Sequence, residues 1–208
     1  MLIWAAVATL SAPAVWGGDT QAQAADDFDL AVQAVHDKQY RTAIQLFTPL
    51  AENGAADAQF NLSLLIKTGL GQPRNFSESY FWAVLSDLGK ERRAKTIVTE
   101  LSNLLPQDVK NTIHQKIVAR LRTQLEAGNP DAILKFARVH AEFLEEPNYE
   151  LAYIWYSIAQ AIGQRGGFEG SASVADMLEM DALIVAQNKA LEVFEGSPFA
   201  KMDAPKTN

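Results

Sequence analysis

An all-α fold, a single domain of about ten helices stacked as hairpins over residues 25–195, is what this sequence predicts. Three observations lead there. Apolar side chains recur at helical spacing through most of the chain between Phe28 and Phe194. Glycine and proline fall between the main runs, at Gly54, at Gly69 to Pro73 and at Gly128 to Pro130, where reversals would join consecutive helices. A two-helix stretch, residues 54–90, returns in register further along the chain, which is the mark of an internal repeat.

The N-terminal segment is different in kind. Met1 to Trp16, MLIWAAVATLSAPAVW, carries no charged side chain and is interrupted by Ser11 and Pro13. Its apolar run is shorter than the roughly 20 residues that span a bilayer as a helix. Small and polar residues follow and end in Ala22-Gln23-Ala24, a small-x-small pattern that suits signal peptidase. Residues 1–24 are therefore expected to be a signal peptide, cleaved before Ala25, and the mature chain to be periplasmic or secreted. The segment lacks the usual Lys or Arg at its start, so an uncleaved apolar N-terminal helix is the alternative.

After Ala25, Phe28, Ala31, Val32 and Val35 recur at helical spacing, and Asp26 or Asp27 can cap that helix. A second helix, from Tyr40 to Asn53, buries Ala43, Ile44, Phe47, Leu50 and Ala51, with Gly54 at its C-terminal end. The next pair runs from Ala56 to Thr68 and from Asn75 or Phe76 to Leu88. Gly69 can take the left-handed backbone that ends a helix, Gly71 frees the turn, and Pro73 stops the helix from continuing. A helical pattern from Glu91 to Leu104 and a longer one from Pro106 to about Ala127 follow, the proline sitting where its missing N–H costs nothing.

Gly128 opens the second copy. Asp131, Ala132, Phe136 and Pro147 fall under Asp57, Ala58, Leu62 and Pro73 at a shift of 74 positions. After a one-residue deletion, Asn148, Tyr149, Tyr153 and Trp155 fall under Asn75, Phe76, Tyr80 and Trp82. Gly69 and Gly71 become Phe143 and Glu145, so the second turn should differ in shape. The four glycines within Gly163 to Ala175 predict a flexible loop. Met180 to Phe194 makes a terminal helix that corresponds loosely to the one after Pro106, and residues 196–208 are expected to be a disordered tail.

The spacing of Ala58, Leu62, Leu65, Gly69, Gly71, Pro73, Tyr80 and Trp82 resembles a Sel-one-like repeat (SLR), a relative of the tetratricopeptide repeat. The resemblance implies a right-handed α-α superhelix, an α-solenoid, of the bacterial secreted type. It implies a noncatalytic scaffold without cofactor or metal, binding a protein or peptide in the cell envelope of a Gram-negative bacterium. Relatives also occur in envelope polysaccharide assembly, so a factor that binds or processes peptidoglycan or polysaccharide is the second possibility.

Composition narrows the chemistry. A net charge of -7 with a pI near 5.0 argues against a nucleic-acid partner or an anionic membrane surface, which need clustered Lys and Arg. There is no cysteine, which excludes disulfides, thiolate metal sites and a cysteine nucleophile. His36, His114 and His140 lie on separate predicted helices without zinc-ligand spacing, and no P-loop, dinucleotide fingerprint or nucleophile elbow occurs. No catalytic residue is assigned. Glu142, Glu145 and Glu146 form an acidic patch suited to a basic partner. Tyr80, Phe81, Trp82, Tyr153, Trp155 and Tyr156 are read as filling the seams between hairpins, Tyr156 being the most exposed of them. If the first helix of each hairpin lines the inner face of a solenoid, the partner-binding candidates are Gln33, His36, Gln59, Asn61, Lys67, Lys135, Arg138 and His140.

Overall fold

Helix ends are where the residues declare the architecture most directly. The computed structural model describes residues 18–202. Among the described residues there are ten α-helices and no strand: α1 (Gly18–His36), α2 (Tyr40–Glu52), α3 (Ala56–Thr68), α4 (Phe76–Leu88), α5 (Ala94–Leu104), α6 (Gln107–Glu126), α7 (Asp131–Glu142), α8 (Tyr149–Ala161), α9 (Gly167–Ala175) and α10 (Met180–Glu195). A 3₁₀ turn, Pro198–Lys201, follows. Gly69 closes α3 in the left-handed region at a φ of 77°, and its amide returns to the Leu65 and Ile66 carbonyls. Gly71 serves a second need. At a φ of 86° its Cα lies so close to α2 that a Cβ would fall 2.7 Å from the Tyr40 carbonyl, so the turn is also a packing contact.

Both copies of the repeat begin their second helix in the same way. The Asn75 carboxamide accepts from the Glu78 amide at 3.0 Å, and the Asn148 carboxamide accepts from the Leu151 amide at 2.9 Å. The turns before them differ, as the loss of glycine requires: Phe143 ends α7 at a φ of -115°, without a left-handed residue. At the crossing of α3 and α4, the Ser63 and Ser79 hydroxyls each donate to the other's carbonyl at 2.9 Å. Ala137 and Ala152 take those places in the second copy, fully buried, so the crossing demands small side chains and only one copy adds hydrogen bonds.

Consecutive helices pack on one another except α5 with α6 and α9 with α10, where α4 reaches past α5 to α6 and α8 past α9 to α10. The unit α3–α6 is thus repeated as α7–α10, and α4 meets α7 where the two join. This is a solenoid-like, all-α arrangement. Its core is continuous, from Phe47 and Tyr80 through Leu101, Ile117, Leu121 and Ile133 to Ile158 and Phe199. Burying each such side chain contributes about 1.5–3 kcal/mol.

Four expectations change. Helix α1 starts at Gly18, so Asp26 and Asp27 lie inside it and cap nothing; the Gln- and Ala-rich residues before them are good helix formers. The glycine-rich segment after Gly163 is helix α9 from Gly167, because its glycines allow close packing and not flexibility. A Cβ at Gly167 would strike the backbone of Gln160, and one at Gly170 would fall 2.3 Å from ring carbons of Tyr156. Tyr156 is accordingly buried, while Tyr153 and Trp155 are half-buried. The segment after Gly196 is ordered as far as Met202, since Phe199 is fully buried and meets Trp155 at 6.4 Å between ring centroids. The first 17 residues of the expected signal segment, and residues 203–208, lie outside the described residues.

Candidate functional site

The eight partner-binding candidates do not share one surface. Gln33 and His36 are exposed on α1, and both hydrogen-bond to Asp37. Gln59 is buried and donates to the Ala51 carbonyl at 2.9 Å, joining α3 to α2. Asn61 donates back to the Asp57 carbonyl within its own helix, and Lys67 pairs with Glu100 of α5. Arg138 is fully engaged. Its guanidinium donates to the Asp87 carbonyl at 2.6 Å, to the Asp87 carboxylate at 3.2 Å and to Glu142 at 2.8 Å. Gln59 and Arg138 therefore hold helices together and do not face a partner. A polar residue on the first helix of a hairpin satisfies its neighbour's backbone as readily as a ligand, and spacing does not distinguish the two.

His140 is also buried, with neither ring nitrogen hydrogen-bonded, and its ring packs on Phe136 at 4.6 Å. Burial, aided by the nearby Arg122 charge, pushes its pKa down to about 4. His140 lines a cleft of about 490 Å³ between α6 and α7 together with His114, Arg122 and Glu145. His114, given no role by its spacing, meets the Tyr80 hydroxyl at 3.1 Å, and burial lowers its pKa to about 4 as well. Both rings are neutral at pH 7. Among the described residues no group of three or more carboxylate or imidazole side chains is placed to hold a metal ion, and no helix is long and apolar enough to cross a membrane.

Lys135 lies on the other side of α7, in a cavity of about 310 Å³. Its walls come from the end of α4, the start of α7 and the turn between α8 and α9, including Leu88, Lys90, Leu134, Lys135 and Arg165. Lys90 and Arg165 were not singled out by sequence. The signal for Lys90 lay in the repeat itself, because Gly163 occupies the same place in the second copy.

Several large apolar side chains are exposed from α9 to α10. Phe168, Met177, Met180, Ile184, Val185 and Leu191 are between 47% and 67% exposed. On α10 the buried residues are Ala186 and Ala190. Met180, Ile184 and Leu191 recur on the opposite side of that helix by its own 3.6-residue period. Sequence predicts Met180 to Phe194 only as a terminal helix, and its apolar residues exceed what one buried face needs. Comparison with protein-family models, with curated proteins and with solved structures finds no match to this chain.

Proposed function

We propose that the protein is a noncatalytic helical-repeat scaffold that mediates protein–protein interaction in the bacterial periplasm. The observation that carries this reading is the row of exposed apolar side chains on α10, Met180, Ile184 and Leu191, on the side away from buried Ala186 and Ala190. A solenoid stays soluble by ending in a polar face, and an apolar end asks to be covered. The Sel-one-like resemblance of residues 54–90 supports the class of function, and the apolar N-terminus with its Ala22-Gln23-Ala24 site supports export. Cleavage before Ala25 would remove the first part of α1 and leave its buried residues Ala31 and Ala34, among those described, in place.

A photo-crosslinking residue at position 184, in cells that make the full chain, tests the proposal. A defined envelope protein should be captured there and lost when Ile184 and Leu191 are both changed to Asp, with the helical circular dichroism unchanged. Parallel binding of muropeptides and envelope polysaccharide covers the alternative. Glycan retention with no protein captured at position 184 overturns the scaffold reading. Charge reversal at Arg138 is a poor probe, because it would break the α4–α7 tie. Mass spectrometry of the mature N-terminus should find Ala25 first.

A further inference from the structure

The cationic cavity on α7 gives the partner a chemistry. In a chain of net charge -7, three cations from three separate segments line one space: Lys90 after α4, Lys135 on α7 and Arg165 after α8. Among the described residues none of their side chains makes an ion pair or a hydrogen bond. Asp131 is the acidic residue lining the same cavity. Lys135 is half-buried, and burial together with the Arg120 charge lowers its pKa, against the pull of Asp131. An anion beside it would reverse that cost. The Lys90 ammonium extends toward the α8–α9 turn, 3.3 Å from where a Cβ on Gly166 would lie, which brings it to the segment that carries Arg165.

The place of Lys90 in the repeat separates its side chain from its backbone. Its backbone is left-handed at a φ of 68°, as Gly163 is at 73° in the second copy. The hydrogen bonds correspond too: the Lys90 amide donates to Asp87 and that of Glu91 to Ser86, as Gly163 does to Gln160 and Gln164 to Ala159. The helix end needs a left-handed residue and makes no use of an ammonium. Lys38 ends α1 in the same conformation, at a φ of 59°, so lysine is tolerated there. What Lys90 adds over glycine is a positive charge at this cavity.

The geometry points to this cavity as the receptor for aspartate or glutamate carboxylates of the protein partner, with Lys90 and Arg165 by the α8–α9 turn and the Lys135 ammonium 3.8 Å from where a Cβ on Gly54 would lie. This rests on the scaffold reading. Carboxylate is favoured over phosphate because the first amides of α7 are already taken: Asp131 donates to the Asn129 carboxamide at 3.0 Å and Ile133 to the Pro130 carbonyl at 3.1 Å. A phosphate site at a helix start would use those donors. Point charges on flexible stems beside Leu88 and Leu134 suit acidic side chains of a peptide. Arg165 also stands three residues before Phe168, whose ring is exposed.

The test titrates the full chain, labelled for NMR, with a blocked tetraglutamate peptide, a blocked tetraglutamine peptide and inorganic phosphate. Tetraglutamate should shift the Lys90, Lys135 and Arg165 signals, with affinity falling as salt rises. Affinity should drop about tenfold in Lys135→Met and about fivefold in Lys90→Gly, of the order that loss of one charge contact gives. Lys90→Gly is the decisive variant, because glycine suits that backbone and its thermal stability should be unchanged or higher. Equal binding of tetraglutamine, or unchanged affinity in Lys90→Gly, overturns the proposal. Phosphate that binds as tightly as the peptide at the same three residues makes this a phosphate site and also overturns it. A peptide that fails to bind while position 184 still crosslinks a partner sinks this inference and leaves the scaffold. Peptide binding with no crosslinked partner does the reverse.

Discussion

At the scale of single residues, the two buried histidines show most about how this fold treats charge. His114 keeps one hydrogen bond, to Tyr80, while His140 has none and sits against Phe136. Both are held neutral down to about pH 4, whereas an unfolded chain takes up these protons near 6.5. Between those values the unfolded state binds more protons. Stability should therefore fall as pH drops from about 6.5 to about 4 and stop falling from this cause below that. Glu91 acts in a lower window. Hydrogen bonding from Arg93 lowers its pKa from 4.5 to about 2, so its contribution is present above 4.5 and is lost on the way down to about 2. Urea midpoints measured from pH 7 to pH 4 check the histidine window. His140→Phe removes a buried polar ring without partners and should raise stability at pH 7 by about 1 kcal/mol while flattening the pH slope. An unchanged slope in that variant would show that His140 does not carry it.

At the scale of elements, what was legible in sequence depended on whether a signal was local. The ends of α3 and the start of α4 followed from Gly69, Pro73 and Asn75, because capping and left-handed backbone are decided within a few residues. Helix α9 was missed because its glycines were read locally as breakers. Their reason is a neighbour in space, since Gly170 lies against the Tyr156 ring and Gly167 against Gln160. Tyr156, expected to be exposed, is buried by that contact, and burial pushes its phenol pKa up to about 12. The opposing effects at Gly170 can be weighed. Alanine improves helix propensity by up to about 1 kcal/mol, but its methyl must displace an aromatic ring, and overpacking of this kind costs about 1–3 kcal/mol. Gly170→Ala should therefore destabilise the protein, seen as a lower urea midpoint. Gly170→Ala combined with Tyr156→Leu, which opens space at the ring, should recover part of the loss. A stabilised single variant would show that α9 packs less closely than this.

At the scale of the whole molecule, the repeat was legible as matching residues, but which surfaces it leaves open was not. Lys135 and Arg138 lie three positions apart on one helix, and only the assembled neighbours make the first a cavity lining and the second a tie to Asp87. The same holds for the chain end. Read alone, Gly196 to Met202 has the composition of a tail, and its order comes from Phe199 entering the seam beside Trp155 and Phe136. Phe199 is fully buried and acts as a lock between α8 and α10, with the turn held by the Ser197 hydroxyl accepting from the Phe199 amide at 3.2 Å. Removing the ring leaves a cavity that its rigid neighbours fill poorly, so Phe199→Ala should cost about 3–5 kcal/mol. Because the helices stack as a linear array, the loss should fall first on α8 to α10 and leave α1 to α6 protected. Hydrogen exchange followed by residue tests this. Faster exchange in α8 and α10 with α3 and α4 unchanged supports coupled units in series, and uniform acceleration along the chain would show that the array unfolds as a single cooperative body.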